Sequence, residues 1–119
     1  MSVFLNAGKH IMLDALAALI DEVSLHTGEP DGSGSSEIDG GDPAYARLEP
    51  AFDPASGGEA VLAAGLEFDI PPETTVAWVG FWADGVFVGK GVLANAEVYA
   101  GQGKFTLSAS TKLAILDPA

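Results

Sequence analysis

The segment "TTVAWVGFWADGVFVGKGVLA", residues 74–94, decides the fold class. Its first ten residues, 74–83, are mostly apolar and rich in β-branched and aromatic side chains, which is typical of a strand covered on both faces. The dipeptide Asp84-Gly85 follows and favours a tight hairpin turn. Residues 86–94 are again apolar. The segment therefore predicts a central antiparallel hairpin.

The first strand of this hairpin carries a concentration of aromatic side chains. Strict alternation assigns its large side chains to two faces, Val76, Trp78 and Trp82 on one and Ala77, Val79 and Phe81 on the other. Such a cluster is either core or an exposed platform for a carbohydrate or a protein partner. Since both faces are apolar, we expect core, and we keep Trp78 and Trp82 as candidate interface residues.

The remaining chain predicts one helix and several shorter strands. Residues 5–20 place an apolar arc on one side of a helix, with Asn6 as its N-cap, and the arc consists of Leu5, Met12, Leu13, Leu16, Leu19 and Ile20. Residues 27–43 are rich in Gly, Pro, Ser and acids and predict a long loop. Alternation predicts strands at 22–27, 44–52, 61–70 and 104–116, with a turn near Asn95 and a bend near Ser110.

Together these elements predict a single mainly β domain over residues 1–119. The spacing of the strands is that of an antiparallel β-sandwich or a barrel-like domain, with one N-terminal amphipathic helix and a β-rich part from 21 to 116. A chain of this length buries enough surface to form a core of its own.

Charge and composition exclude several functions. The chain has 17 acidic and five basic residues, for a net charge of −12, which disfavours contact with nucleic acids and anionic membranes. It has no cysteine, so a disulfide scaffold, a thiol nucleophile and a cysteine-based zinc site are excluded. We expect no cofactor, no export signal in the acid-interrupted N-terminal stretch and no bilayer-spanning segment.

The stretch "DGSGSSEIDGGD", residues 31–42, has the spacing of a calcium-binding loop. Oxygen-bearing side chains stand at its positions 1, 3, 5, 7, 9 and 12, namely Asp31, Ser33, Ser35, Glu37, Asp39 and Asp42. The sixth position is Ser36 instead of the glycine that the sharp turn of such loops requires, and the flanks predict strands instead of helices. We therefore favour a solvated, exposed connection over a calcium site.

No catalytic constellation stands out. Ser24 and His26 share one face of a predicted strand, but no nucleophile elbow or oxyanion loop accompanies them, so we expect no catalytic residues. Arg47 is the only arginine in the chain, and we expect it to pair with Glu49, Glu29 or an acid of the loop.

The order of these pieces resembles a family of small virion proteins of tailed bacteriophages, labelled tail-fibre-like or minor tail proteins. The resemblance covers nearly the whole chain and rests on three groups of residues: His26, Thr27 and Pro30; Tyr45, Ala46 and Arg47; and Val76, Gly80, Phe81, Trp82 and Ala83. The chain departs from the family pattern at Asp42-Pro43, since the family has glycine directly before the tyrosine.

This resemblance implies a non-enzymatic virion component, made in the host cytoplasm, that contacts other virion proteins and forms a homo-oligomer in the particle. A tail-associated position follows the family label, whereas a capsid-decorating position fits a small, acidic, glycine-rich domain equally well. Tyr45 and Arg47 join the two tryptophans as candidate interface residues. The alternatives are a carbohydrate- or receptor-binding module of a phage tail and a calcium-dependent hydrolase.

Overall fold

The computed structural model describes residues 5–57, 59–108 and 112–114. Within these ranges the chain is mainly β and sandwich-like, with an N-terminal helix, as the sequence predicts. The elements are α1 (Asn6–Leu19), β1 (Glu22–His26), β2 (Glu59–Val61), β3 (Leu66–Ile70), β4 (Thr74–Ala83), β5 (Val86–Tyr99), β6 (Gly103–Leu107) and β7 (Lys112–Ala114).

The strands form three antiparallel sheets. The largest has the order β1-β4-β5, and the other two pair β2 with β7 and β3 with β6. The prediction that segment 74–83 is a central strand is confirmed, because β4 has a hydrogen-bonded neighbour on each side.

The hairpin turn at Asp84-Gly85 is confirmed as well. Both residues have positive φ, 49° for Asp84 and 77° for Gly85. Two positive φ angles in a two-residue loop match the twist of the flanking strands, and Asp and Gly tolerate this conformation better than most residues. The turn therefore fixes how β4 and β5 pair.

The side-chain faces of β4 differ from strict alternation. Val76 joins Val79 and Phe81 in the buried core, instead of lying on the face of Trp78 and Trp82. The pairing of β4 with β5 shifts between Val76 and Trp78, where Ala77 interrupts the regular register. Such an irregularity turns the following side chains to the opposite face.

The predicted turn near Asn95 is wrong, because β5 continues through this residue to Tyr99. Val92 pairs with Trp78 and Glu97 with Val76, so residues 93–96 all lie opposite Ala77. The polar and small residues there bend the strand at a bulge without ending it.

The predicted strand 44–52 is wrong. This segment makes isolated bridges, Val23 with Leu48 and Phe52 with Leu62, instead of a ladder. Leu48 exchanges two backbone hydrogen bonds with Val23, of 2.7 and 3.1 Å. Pro50 lacks the N–H that a continued ladder requires.

Two other predicted strands are each divided. Segment 61–70 covers the last residue of β2, Val61, and the whole of β3, with a bend at residues 63–64 between them. Segment 104–116 overlaps β6 and includes β7, which pair with different partners. The predicted bend near Ser110 lies outside the described residues.

Fewer residues of the predicted apolar arc of helix α1 are buried than the sequence indicates. Leu13 and Ile20 are buried, whereas Leu5 and Leu19 are exposed. The N-cap position is held by Leu5, so the prediction of an Asn6 cap is wrong. No helix in the described ranges is long and apolar enough to cross a bilayer.

Candidate functional site

The two faces of the β1-β4-β5 sheet pack against different parts of the molecule, one against the hydrophobic core and the other against a loop. Val23, Leu25, Val79 and Phe81 project from one face into the core. The opposite face, which we call the loop-covered face, lies largely beneath the loop 27–43 and includes Glu22, Ser24, His26, Trp78, Gly80, Trp82, Phe87, Lys90 and Val92. The loop therefore forms part of the packing of the domain.

A buried hydrogen-bonded chain lies at the centre of this face. Ser24 Oγ lies 2.7 Å from His26 Nε2, and Trp82 Nε1 donates to the same Oγ over 2.8 Å. His26 Nδ1 lies 2.8 Å from the carbonyl oxygen of Ser35, which accepts only. Nδ1 therefore carries the proton, and Nε2 of the neutral ring accepts from the Ser24 hydroxyl.

Gly80 makes room for this chain. A Cβ at this position would lie 2.5 Å from Ser24 Oγ and 2.6 Å from His26 Nε2, closer than side-chain atoms pack. Since β4 passes directly between β1 and β5, only glycine fits here without displacing the pair. Sequence reasoning missed this role, because the partners of Gly80 lie more than 50 positions away.

The Ser24–His26 pair is sealed from solvent. Both residues have 0% exposure, and the Ser24 oxygen already interacts with an imidazole and an indole. Burial lowers the pKa of His26, against the raising effects of the Ser35 carbonyl and of Glu37. A neutral, enclosed pair of this kind holds the loop on the sheet.

A second cluster joins the loop to the segment that follows it. Arg47 donates from Nε and Nη2 to the two carboxylate oxygens of Glu37, each over 2.9 Å, and from Nη1 to Glu22 over 3.2 Å. Tyr45 donates to Glu37 over 2.8 Å and accepts from the backbone N–H of Leu25 over 3.0 Å. The predicted partner of Arg47 among the loop acids is thus Glu37, and Glu22 was missed.

The electrostatics of this cluster follow from the same contacts. Burial alone would raise the pKa of Glu37, but the hydrogen bonds from Arg47 and Tyr45 outweigh it and leave this pKa below its ordinary value. Burial and the bond to Glu37 raise the pKa of Tyr45. Bidentate pairing with Glu37 raises the pKa of Arg47, so the ion pair stays charged across the physiological range.

The arginine also covers one of the tryptophans. The Arg47 guanidinium carbon lies 3.7 Å from the centre of the Trp82 ring, and Phe87 meets the ring edge-on at 5.1 Å. From the loop, Gly34 comes so close to Trp82 that a Cβ there would lie 2.6 Å from the ring. Trp82 is consequently only 7% exposed.

Lysine 90 holds the beginning of the loop. Its ammonium donates to the carbonyl of Pro30 over 2.8 Å and pairs with Glu29 at 3.4 Å. It also lies 5.9 Å from the centre of the Trp78 ring, which is half-buried. Trp78 therefore has a partner on its outward side.

The structure does not bring the six predicted calcium ligands together. One oxygen of Asp31 accepts from the backbone N–H and hydroxyl of Ser33, over 2.9 and 2.6 Å, which lowers its pKa and closes a local turn. Glu37 is committed to Arg47 and Tyr45. In the described ranges no three His, Asp or Glu side chains are placed to hold a metal.

The prediction that residues 31–42 are an exposed connection is only partly right. Gly34 and Ile38 are buried, and Ile38 belongs to the core. Backbone hydrogen bonds from Thr27 to Ser36 and from Ile38 to Leu25 tie the loop along β1. Asp31, Ser33 and Ser36 remain at the surface, whereas Ser35 and Glu37 are partly buried.

A groove opens on the other side of the molecule, between the edges of β5 and β6. Its volume is about 740 Å³, and Val79 and Phe81 of β4 contribute to its lining. β5 contributes Gly89 and Gly91 together with residues that carry side chains, among them Val88 and Leu93, while Phe105 and Leu107 of β6 also line the groove. The groove is therefore mainly apolar.

No protein-family model, characterised protein or solved structure matches this chain. Its function must therefore be inferred from its own residues and contacts.

The four predicted interface residues have different environments. Tyr45, Arg47 and Trp82 meet in one cluster that faces inward, while Trp78 lies apart, near Lys90. Among the described residues, the exposed large apolar side chains are instead Val86, Val88, Val92 and Val98 of β5, Ile11 and Leu19 of α1, and Leu5 at the N-cap of the helix. A sequence signal for the β5 surface exists: residues 86–96 contain no acid in a chain that has 17.

Proposed function

We propose that this chain is a non-enzymatic structural protein of a tailed bacteriophage particle, tail-associated or capsid-decorating. It acts through contacts with other virion proteins. The observation that carries the proposal is β5, a 14-residue strand at the edge of its sheet with exposed valines along it. A long apolar edge is a hazard for a free monomer and a natural surface for assembly.

The state of the polar residues supports a role without catalysis. The only buried polar or charged residues among those described, Ser24 and His26, are bonded to each other and to the loop. The strongest charge pair, Glu37 with Arg47, is closed internally by Tyr45 and Glu22. These groups serve the fold, and the exposed valines of β5 remain outside these contacts.

The carbohydrate-binding alternative receives less support. It requires aromatic rings that lie open to a sugar, but Trp82 is buried beneath Arg47 and Gly34. Trp78 is half-buried and faces Lys90. The two tryptophans therefore do not form an exposed pair.

Purified phage particles provide the test. Particles banded by density from a lysate that encodes this chain should contain it in many copies by mass spectrometry, and cryo-electron microscopy should place those copies on the tail or the capsid. An abundant host cytoplasmic enzyme serves as the control for contamination. Recovery of the chain only in the soluble lysate, depleted from the band like the control, would contradict the proposal.

A glycan array distinguishes the alternative. We expect no binding above background for the wild-type protein. Glycan binding that Trp78→Ala abolishes, with the fold retained by circular dichroism, would favour the receptor-binding module instead.

A further inference from the structure

The hydrogen bonds at the centre of the loop-covered face all run in one direction. Trp82 Nε1 donates to Ser24 Oγ, the Ser24 hydroxyl donates to His26 Nε2, and Nδ1 of the same ring donates to the Ser35 carbonyl. Three hydrogens thus meet three acceptors, and no buried side-chain nitrogen or oxygen of the described residues is left without a partner. This chain of bonds is complete only while the imidazole is neutral.

A second proton on the ring of His26 leaves one hydrogen without an acceptor. On Nε2 this proton takes the Ser24 oxygen as its acceptor, so the hydroxyl hydrogen of Ser24 must turn away from the ring. Both side chains are 0% exposed, and a Cβ on Gly80 would lie 2.5 Å from Ser24 Oγ, so the neighbouring strand leaves no space for a water there. Protonation of the closed form therefore buries a charge and an unsatisfied hydroxyl.

The charges around His26 do not compensate for this second proton. Both carboxylate oxygens of Glu37 already accept from Arg47, and β4 contributes only uncharged residues where it pairs with β1. Burial lowers the pKa of His26, although the Ser35 carbonyl and Glu37 act to raise it. The charged or titratable side chains around this ring are Glu22 of β1, Glu29, Asp31 and Glu37 of the loop, Tyr45 and Arg47 of the segment after it, and Lys90 of β5.

A short part of the loop, residues 31–35, lies over this chain of bonds, and we call it the cover segment. Two anchors flank it. Lys90 donates to the Pro30 carbonyl before it, and Arg47 donates to Glu37 after it. Burial alone would raise the pKa of Glu37, but its hydrogen bonds hold that pKa below 4.5, so the second anchor stays charged at about pH 5.

The cover segment itself is held on the sheet by few contacts. Among the described residues, its one hydrogen bond to the sheet is the bond from His26 to the Ser35 carbonyl. Gly34 adds its close approach to the ring of Trp82. The other hydrogen bonds of the segment are internal, since its backbone and serines bond to Asp31. The imidazole therefore connects the cover segment to the sheet.

We propose that His26 is a proton-operated latch: in mildly acidic solution its ring takes up a proton, the cover segment lifts from the sheet between its two anchors, and Trp82 becomes accessible while the rest of the domain stays folded. Lifting gives water to the imidazolium and to the Ser24 hydroxyl. This inference goes beyond the proposed virion role and does not depend on it.

The direction of the pH effect follows from linkage. The open form binds a proton at the ordinary histidine pKa of about 6.5, and the closed form binds it only at lower pH. Opening is therefore favoured as pH falls below about 6.5, by up to about tenfold for each pH unit. Above about pH 7 the population of the open form should no longer change.

Hydrogen exchange of the Trp82 indole N–H tests the latch in the wild-type protein. This N–H is bonded to Ser24 beneath the loop, and the chain has only two tryptophans, so Trp78→Phe assigns the two NMR signals. Between about pH 7.5 and 5 its protection, corrected for exchange of a free indole, should fall by about threefold to thirtyfold. A change of less than about twofold would overturn the latch.

The backbone amides of β4 distinguish local opening from unfolding of the domain. Their protection should stay constant over the same pH range, because β4 is paired on both sides. If it fell by the same factor as that of the Trp82 indole, the domain would be unfolding as a whole and the latch would be refuted.

Two glutamine variants assign the effect to one ring. His26→Gln does not titrate and should remove the pH dependence of Trp82 protection, whereas His10→Gln, on the helix, should retain it. An equal dependence in both variants contradicts the proposal. If His26→Gln does not fold, the wild-type profile still decides: protection that begins to fall near pH 6.5 supports the histidine, and protection that falls only below about pH 4.5 assigns the opening to a carboxylate and overturns the latch.

Discussion

At the scale of single residues, His26 determines how the domain responds to acid. Its ring is neutral, fully buried and bonded to Ser24 and to the Ser35 carbonyl, and burial holds its pKa below 6.5. As pH falls below about 6.5, the unfolded chain takes up a proton at this position and the folded chain does not. We therefore expect the free energy of unfolding to fall between pH 7 and 5.5, by up to about 1.4 kcal/mol for each unit by which the pKa is lowered.

Urea denaturation of two glutamine variants separates the contribution of His26 to this pH dependence from the contributions of other groups. His26→Gln retains a donor and an acceptor without titrating and should lose the decrease over this pH range. His10→Gln, in the helix, should retain it. An unchanged pH dependence in His26→Gln would show that another group is responsible, whereas Glu37 contributes only at lower pH because its pKa lies below 4.5.

At the scale of elements, the loop 27–43 acts as a packed cover of the sheet. Gly34 has a φ of 77°, and a Cβ there would meet two ring atoms of Trp82 at 2.6 Å. Gly34→Ala should therefore lower the free energy of unfolding by about 2 kcal/mol or more, from backbone strain and from the clash. Chemical denaturation followed by tryptophan fluorescence measures this loss.

Two other glycines of the loop separate the effect of backbone strain from the effect of the clash with Trp82. Gly40 also has a positive φ, 91°, but has open space around it, so Gly40→Ala reports strain alone. Gly32 has open space and no positive φ, and Gly32→Ala should change stability by less than about 0.5 kcal/mol. If Gly34→Ala matched Gly32→Ala, the loop would not be packed on Trp82.

At the scale of the whole molecule, the net charge of −12 opposes compaction. Raising NaCl from about 10 to 200 mM should increase Tm, because the screening length shortens several-fold. CaCl₂ at matched ionic strength should give a similar increase, since the six candidate oxygen ligands of the loop do not converge. Differential scanning calorimetry measures both.

Chelation of calcium is the control for the CaCl₂ experiment. EDTA at constant ionic strength should leave Tm unchanged. An additional rise in Tm that saturates at micromolar calcium, and that Asp31→Ala removes, would restore the calcium interpretation of residues 31–42.

The sequence by itself determined the central hairpin and the β-rich class. The apolar run 74–83, the Asp84-Gly85 turn and the return strand depend on alternation and turn chemistry, which act between residues close in the chain. Local signals were also sufficient to locate the helix to within one residue at each end. They over-predicted a strand at 44–52, because the alternation there is satisfied by single bridges instead of a ladder.

Three features depend on the tertiary structure alone. They are the face of a strand on which each side chain lies, the strand that stands at the edge of a sheet, and the side chains that meet. The shift at Ala77 moved Val76 into the core, since register depends on the neighbouring strand. His26, Ser24 and Trp82 meet because β1 pairs with β4, although Ser24 and Trp82 are 58 positions apart along the chain. The exposure of the valines on β5 depends on which strand lies at the end of the sheet, and alternation within one strand carries no information about its neighbours.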